Sequence, residues 1–312
     1  MSQDPQPAPF HQSVMAEEVA EVLQPIERGV VVDATFGGGG HTALLLDRHP
    51  NVTVIGLDRD PAAIANASSL GLRLNVMQSD FRYLGEALDR AGVDRIDGAL
   101  FDLGVSSRQL DDPERGFSYR HRGPLDMRMG PDAAISADDV VNGWDAARLA
   151  GAIRRYGEEP HASRIAAAIL AARPVTDTAQ LAEIVAGAVP AGARSRRHPA
   201  RRTFQAIRIV VNEELAALEE GLETALQRLR VGGRAIVISY HSLEDRLVKR
   251  RFAAGARGCT CPPDFPVCVC GGTAELRLLT RRPLRPTPSE VEANPRSRSA
   301  RMRAVERVEE AA

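Results

Sequence analysis

Val30-Val31-Val32-Asp33-Ala34-Thr35-Phe36-Gly37-Gly38-Gly39-Gly40-His41 reads as a strand that ends on an acid, a turn made of glycine and the start of a helix. Three successive β-branched residues with no polar alternation fit a strand covered on both faces. The same unit returns along the chain. Val52-Thr53-Val54-Ile55, Leu72 to Met77 and Gly98 to Leu103 are the next apolar runs, each closing at or beside an acid. Asp33, Asp58, Asp80 and Asp102 therefore follow one another at 25, 22 and 22 residues, the length of a βα repeat. The expected fold is α/β, a doubly wound parallel sheet with carboxylates along its C-terminal edge, where ligands of such sheets bind.

Beyond Asp102 the repeat stops. A Gly/Asp/Arg-rich loop, Gly104 to Gly130, is followed by helical stretches near Asp145 to Arg155, His161 to Ala172 and Thr178 to Ala188, with no strand-like run among them. One long helix is expected from about Thr203 to Leu229, because Phe204, Ile207, Val211, Leu215, Leu218, Leu222, Leu226 and Leu229 recur at three- and four-residue steps; this stripe reads as core packing. After a turn at Gly232-Gly233, Ala235-Ile236-Val237-Ile238 resumes the sheet, and the tail from Arg277 to Arg303, rich in Arg and Pro, is expected to lie extended over a surface. The organisation expected is a first core segment at 1–107, an inserted helical segment at 108–205, and a second core segment at 206–312 with a Cys-rich loop at 259–270 and a basic tail.

The 312 residues are 44% hydrophobic and 26% charged, which excludes wholesale disorder. No run of 18 apolar residues occurs and the first residues are polar and Pro-rich, so neither a membrane span nor a secretory leader is expected. With 40 basic against 41 acidic residues, a polyanion has to be met by local patches and not by net charge. All four cysteines fall between Cys259 and Cys270, a spacing that staples nothing across the chain, and a reducing cytoplasmic setting is expected.

Glycines after Asp33 let a ligand approach the backbone, and the helix behind them offers free amide donors. Nucleotide, flavin, nicotinamide and S-adenosylmethionine proteins all use such a turn. Asp33 discriminates, since a carboxylate ahead of the loop repels a pyrophosphate and the spacing is not G-x-G-x-x-G. S-adenosylmethionine carries no phosphate and presents an ammonium and a sulfonium instead. Asp58 is placed to accept both ribose hydroxyls, and Asp80-Phe81 to border the adenine. The competing role for each Asp is to cap the following helix. A nicotinamide-dependent oxidoreductase and a non-enzymatic zinc-containing RNA-binding protein are the alternative classes; the first is disfavoured by Asp33, the second has no use for four strand-end carboxylates.

With those residues in place the chain resembles the ribosomal small subunit methyltransferase H family over nearly its whole length. The blocks that carry the resemblance are His11-Gln12-Ser13-Val14-Met15, the Asp33 to His41 loop, Gly56-Leu57-Asp58-Arg59-Asp60-Pro61 and Phe101-Asp102-Leu103-Gly104-Val105-Ser106-Ser107. They continue with Gln109-Leu110-Asp111, Arg115-Gly116-Phe117-Ser118, Pro124-Leu125-Asp126-Met127-Arg128-Met129, Arg202-Thr203-Phe204-Gln205-Ala206 and Ser239-Tyr240-His241-Ser242-Leu243-Glu244-Asp245-Arg246. The resemblance implies a Rossmann-like S-adenosylmethionine-dependent methyltransferase fold with an inserted helical domain. It also implies methylation of the exocyclic N4 of a cytosine in 16S rRNA, with the assembled small ribosomal subunit as partner. By it Gly39, Gly40, His41, Asp58, Phe81, Asp102 and Gln109, together with Asp33, line the cofactor pocket. One departure is that amino-methyltransferases often carry Asp/Asn-Pro-Pro-aromatic after the fourth strand, where this chain has Asp102-Leu103-Gly104-Val105. Phe117 and Tyr119 are the candidates for the aromatic that holds the base, or else they anchor their loop.

For amine methylation a carboxylate accepting the N4 hydrogens takes up charge as the bond forms, and Asp102 is the candidate catalytic group, with cofactor holding or loop capping as its other role. His241 either orients the base or belongs to a helix start, where Ser242 and Asp245 read as an ordinary cap. RNA contact is expected from Arg194, Arg196, Arg197, Arg201, Arg202 and Arg208, and from Arg115, Arg120, Arg122 and Arg128. Four thiolates, Cys259, Cys261, Cys268 and Cys270, could complete a tetrahedral zinc site.

Overall fold

The computed structural model describes residues 13–64, 71–191, 198–258 and 272–308. The chain divides into two compact units, one formed by Met1–Gly104 with Ala217–Ala312, the other by Val105–Ala216. The first is built on β1 (Arg28–Asp33), β2 (Asn51–Asp58), β3 (Leu74–Gln78), β4 (Ile96–Asp102), β5 (Leu229–Ser239), β6 (Leu276–Leu278) and β7 (Arg301–Arg307). Its helices are α1 (Ala16–Leu23), α2 (Gly40–Arg48), α3 (Pro61–Ile64), α4 (Leu84–Arg90), most of α10 (Glu214–Arg228), α11 (Ser242–Arg257) and α12 (Pro288–Ala293). The second unit holds α5 (Ser107–Asp111), α6 (Ala146–Gly157), α7 (Ala162–Ala171), α8 (Thr178–Ala188) and α9 (Arg201–Asn212), with no strand among its described residues.

The sheet runs β3-β2-β1-β4-β5-β7-β6. β1 pairs in parallel with β2 on one side and β4 on the other, and β4 pairs in parallel with β5. The strand order thus reverses on either side of β1, a topological switch point, and the C-terminal ends of β1, β2, β4 and β5 converge there. Val31, Val32, Val54, Ala99, Leu100, Ile236 and Val237 are all buried to 1% exposure or less, as strands covered on both faces require.

The expected helix from Thr203 to Leu229 is two helices. Its apolar stripe is indeed core, but Glu213 sits at φ 49 between α9 and α10 and ends the first of them. Gly232-Gly233 is not a turn ahead of a strand; β5 runs through it, with a shift in its pairing to β4 between Ile96 and Gly98.

The basic tail is corrected more substantially. Residues 279–296 are exposed or partly exposed, as expected, but they carry α12, and the end of the tail enters β7, antiparallel between β5 and β6. Met302, Ala304 and Val305 are fully buried, and Arg303 and Arg307 are buried with them. Their charges are met from other elements: Arg303 Nε donates to Asp245 Oδ1 at 2.6 Å, and Arg307 lies 3.2 Å from Glu275 Oε2.

In the second unit the Gly/Asp/Arg-rich loop is tied to helices. Asn212 Nδ2 donates to the Met127 carbonyl and its Oδ1 accepts from the Met129 amide, both at 2.8 Å. Thr178 Oγ1 donates to the His121 carbonyl at 2.7 Å and accepts from the Gly123 amide at 3.0 Å.

Candidate active site

The glycine turn is held from both neighbouring strands. Asp58, at the end of β2, accepts from the Gly37 amide at 2.7 Å and from the Asp60 amide at 2.8 Å. Asp33, at the end of β1, accepts from Thr42 Oγ1 at 2.7 Å and from the Thr35 amide at 3.3 Å. Gly37 and Gly39 take φ of 52 and 74, a region that costs other residues about 1–2 kcal/mol, and a Cβ on Gly38 would meet nothing within 4 Å. Gly39 caps α2 without any side-chain acceptor, so the first amides of that helix face the turn unsatisfied by a cap.

Behind the turn lies a linked set of polar groups. The Asp102 amide donates to Thr35 Oγ1 at 2.6 Å, and Tyr240 Oη donates to Asp102 Oδ1 at 2.8 Å. The other oxygen, Oδ2, is 3.4 Å from His41 Nε2. His41 is buried, and neither ring nitrogen has a hydrogen-bond partner of proper geometry.

Burial sets the electrostatics. It raises the Asp33 carboxyl above the ordinary carboxylate range, against the opposing pull of His41 and Thr42. Burial likewise pushes Asp58 up to about 6, although the Asp60 and Gly37 amides stabilise its anion. For His41 burial favours the neutral ring, but Asp102, seconded by Asp33 and Glu290, outweighs it and holds the imidazole pKa above its usual value. Burial and the negative charge of Asp102 keep the Tyr240 phenol protonated well beyond neutral pH, which makes it a permanent donor.

The structure therefore brings together Asp33, Gly39, Gly40, His41, Asp58 and Asp102 at one sheet edge. Phe81, at the end of β3, packs edge-on against Phe101 with ring centroids 5.7 Å apart, and its backbone lies against Gly221. Asp80 takes the capping role, accepting from the Arg82 amide and pairing with Arg59 at 3.3 Å. Gln109 belongs to the second unit, where it is buried and closes the capping box of α5 with Ser106. His241 is itself the cap of α11, reciprocally bonded with Glu244, and so displaces Ser242 and Asp245 from that role; Asp245 binds Arg301 and Arg303 instead.

Two residues had no role assigned from sequence. Thr35 and Tyr240 both fix Asp102, and Tyr240 also fills the space over Gly104, where a Cβ would stand 3.3 Å from its ring. The available signal was a polar aromatic directly after a strand, within a block already recognised. Phe117 is core of the helical unit, and Tyr119 stacks on His198 at 4.7 Å and meets Phe204 edge-on, so both anchor that unit.

Of the described arginines expected at RNA, Arg115 donates to the Arg128 and Met129 carbonyls, Arg128 pairs with Asp126, Arg122 with Asp177, Arg202 with Glu159 and Arg208 with Glu214. Arg120 lies 6.0 Å over the Tyr119 ring, and Arg201 starts α9. Arg194, Arg196 and Arg197 lie outside the described residues, as do Cys259, Cys261, Cys268 and Cys270. Among the described residues no helix is long and apolar enough to cross a membrane.

A family model described as the MraW methylase family matches residues 8–308. The ribosomal RNA small subunit methyltransferase H of Heliobacterium modesticaldum is 49% identical over 308 residues, covering 96% of this chain and 98% of its own. The protein of that name from Symbiobacterium thermophilum is 51% identical over 304 residues, covering 95% and 96%. Among solved structures, an rRNA methylase from Streptococcus thermophilus covers 94% of each chain at 14% identity and a TM-score of 0.40.

Proposed function

This chain belongs to the MraW methylase family, and on that premise we propose that it transfers the methyl group of S-adenosylmethionine to the exocyclic N4 of a cytosine in 16S rRNA. The observation that carries the reading is the Asp33, His41, Asp102 and Tyr240 cluster at the switch point of the sheet.

The residues fit the cofactor on their own chemistry. Asp58 spends one lone pair of each oxygen on a backbone amide and keeps a second on each for ribose hydroxyls. The open space at Gly38 admits a ligand against the backbone, and Nδ1 of buried His41, which has no hydrogen-bond partner, is the kind of group a bound ligand satisfies. Asp33, Gly39, Gly40, His41, Asp58 and Phe81 would hold it. When bound, S-adenosylmethionine supplies an electrophilic methyl on a positively charged sulfur.

Asp102 is the group for the amine. As N4 gains a methyl it loses a proton, and a carboxylate that accepts the N–H stabilises the positive charge as it develops. Thr35 fixes the backbone of Asp102 and Tyr240 fixes one oxygen, so orientation is set before substrate arrives. The cytosine has to be unstacked for its amine to reach this edge. Segment 108–205 is the proposed substrate-recognition part. Arg115, Arg120, Arg122, Arg128, Arg194, Arg196, Arg197, Arg201 and Arg202 are its proposed phosphate contacts, the assembled small subunit in the cytoplasm its target. Cys259, Cys261, Cys268 and Cys270 are the proposed ligands of one zinc ion.

Incubation of the protein with labelled S-adenosylmethionine and unmodified small subunits tests the reading. Label is expected on N4 of one cytosine of 16S rRNA; label elsewhere, or none, overturns it.

A further expectation concerns Asp58. Asp58→Ala should weaken S-adenosylmethionine binding by about 1–3 kcal/mol, the cost of unpaired ribose hydroxyls. Because its folded pKa lies above the unfolded 3.8, the protonated form is the one favoured by folding. Ligand-free stability therefore falls as pH rises from about 4 to about 6, by up to about 3 kcal/mol, and is level above that. Cofactor affinity has the opposite sign, declining as pH drops from about 7 to about 5 and the acceptor is protonated. Calorimetric titration across that range checks both; a flat affinity profile in the wild-type protein removes Asp58 from the ribose.

A further inference from the structure

The outward face of α11 carries positive charge that nothing above uses. Val248, Phe252 and Gly255 turn into the core, Gly255 so close to β6 that a Cβ there would meet Leu276 at 2.5 Å. On the opposite side Arg246, Lys249, Arg250 and Arg257 are exposed, at relative positions 0, 3, 4 and 11 of one helical face, with Ala253 and Ala254 between them. These six side chains line one shallow depression.

Several arginines of this unit are neutralised by their neighbours: Arg251 by Glu223 and Glu275, Arg234 by Glu306, Arg301 and Arg303 by Asp245. Lys249, Arg250 and Arg257 have no carboxylate within ion-pair distance among the described residues. No acid occurs from Arg246 to Arg257. A solvated helix face ordinarily mixes signs, because like charges three or four residues apart cost a few tenths of a kcal/mol per pair. The helix dipole accounts for a cation in the last turn at Arg257, but not for Lys249 and Arg250 in mid-helix. Eleven residues at 1.5 Å span about 16 Å, enough for several phosphates, and the two alanines leave the helix open to a close approach.

We propose that this face of α11 binds the phosphate backbone of the substrate rRNA, as a contact of the sheet-bearing unit additional to the arginines of the helical one. It rests on the rRNA reading above. The experiment is equilibrium binding of the full chain to unmodified small subunits from about 50 to 200 mM salt, comparing wild type with K249Q/R250Q/R257Q and with the charge-retaining K249R/R250K/R257K. The neutralised variant should bind more weakly and lose about 2 from the slope of log affinity against log salt, at about 0.7–0.9 per phosphate contact. The charge-retaining variant should keep the wild-type slope, and both should bind S-adenosylmethionine as wild type does. Unchanged affinity and slope in the neutralised variant would mean a solvated face, and a loss of affinity with unchanged slope would mean contact with a protein of the subunit; either overturns the proposal. Absence of subunit binding by the wild-type protein would instead remove the rRNA reading, and this proposal with it.

Discussion

Asp102→Asn should lower single-turnover methyl transfer by about 10²–10³ with both substrates saturating, the range that follows loss of one preorganised electrostatic group. The substitution keeps the shape and one acceptor oxygen, which can still receive the Tyr240 hydroxyl now 2.8 Å away, and it leaves the Asp102 backbone bond to Thr35 in place. Folding and cofactor affinity should therefore change little. What disappears is the negative charge that the amine needs as it becomes cationic, together with the main influence holding His41 towards its protonated form. If Asp102 only holds the cofactor, affinity drops first and saturating S-adenosylmethionine restores the rate. Rapid-quench measurement at saturation separates the two, and a near-normal rate there would refute a catalytic Asp102.

The second large effect is on stability. Asp245 accepts from Arg303 Nε at 2.6 Å and from Arg301 at 3.1 Å, and Arg303 is only 7% exposed. Asp245→Ala leaves that guanidinium buried without its anion, a loss of about 3–5 kcal/mol for a fully enclosed pair. Arg301 is partly exposed and can turn to water, so about 3 kcal/mol is expected, read as a lower denaturation midpoint at unchanged m-value. Asp245→Asn retains an acceptor for Arg303 and should cost less. A midpoint within experimental error of wild type for the alanine variant would show that β7 is held by its strand pairing alone.

That strand marks where local reading failed. Arg301-Met302-Arg303 ends the Arg- and Pro-rich stretch expected to lie over a surface, since buried strands ordinarily lack charge and its arginines gave no sign of burial, yet it opens β7. All four charges of β7 are answered, by Asp245, Glu275 and Arg234 from elements remote in sequence, and only the folded chain shows that they are answered. The break between α9 and α10 was equally silent, since Glu213 adopts φ 49 with neither Gly nor Pro to announce it.

By itself the sequence determined the parallel sheet, the glycine turn and the carboxylates that line it. Those are local properties: β-branched runs that end on Asp33, Asp58 and Asp102, and glycines whose missing Cβ opens the backbone. It also narrowed the expected ligand, because an acid before the turn disfavours a pyrophosphate. Tertiary structure alone decided which side chains act on Asp102. Thr35 reaches its amide from 67 residues away and Tyr240 its carboxylate from 138. Neither distance leaves a trace in periodicity or spacing. Both contacts arise because β1, β4 and β5 lie side by side and end at the same sheet edge, so residues that no local rule relates are placed within one hydrogen bond of each other.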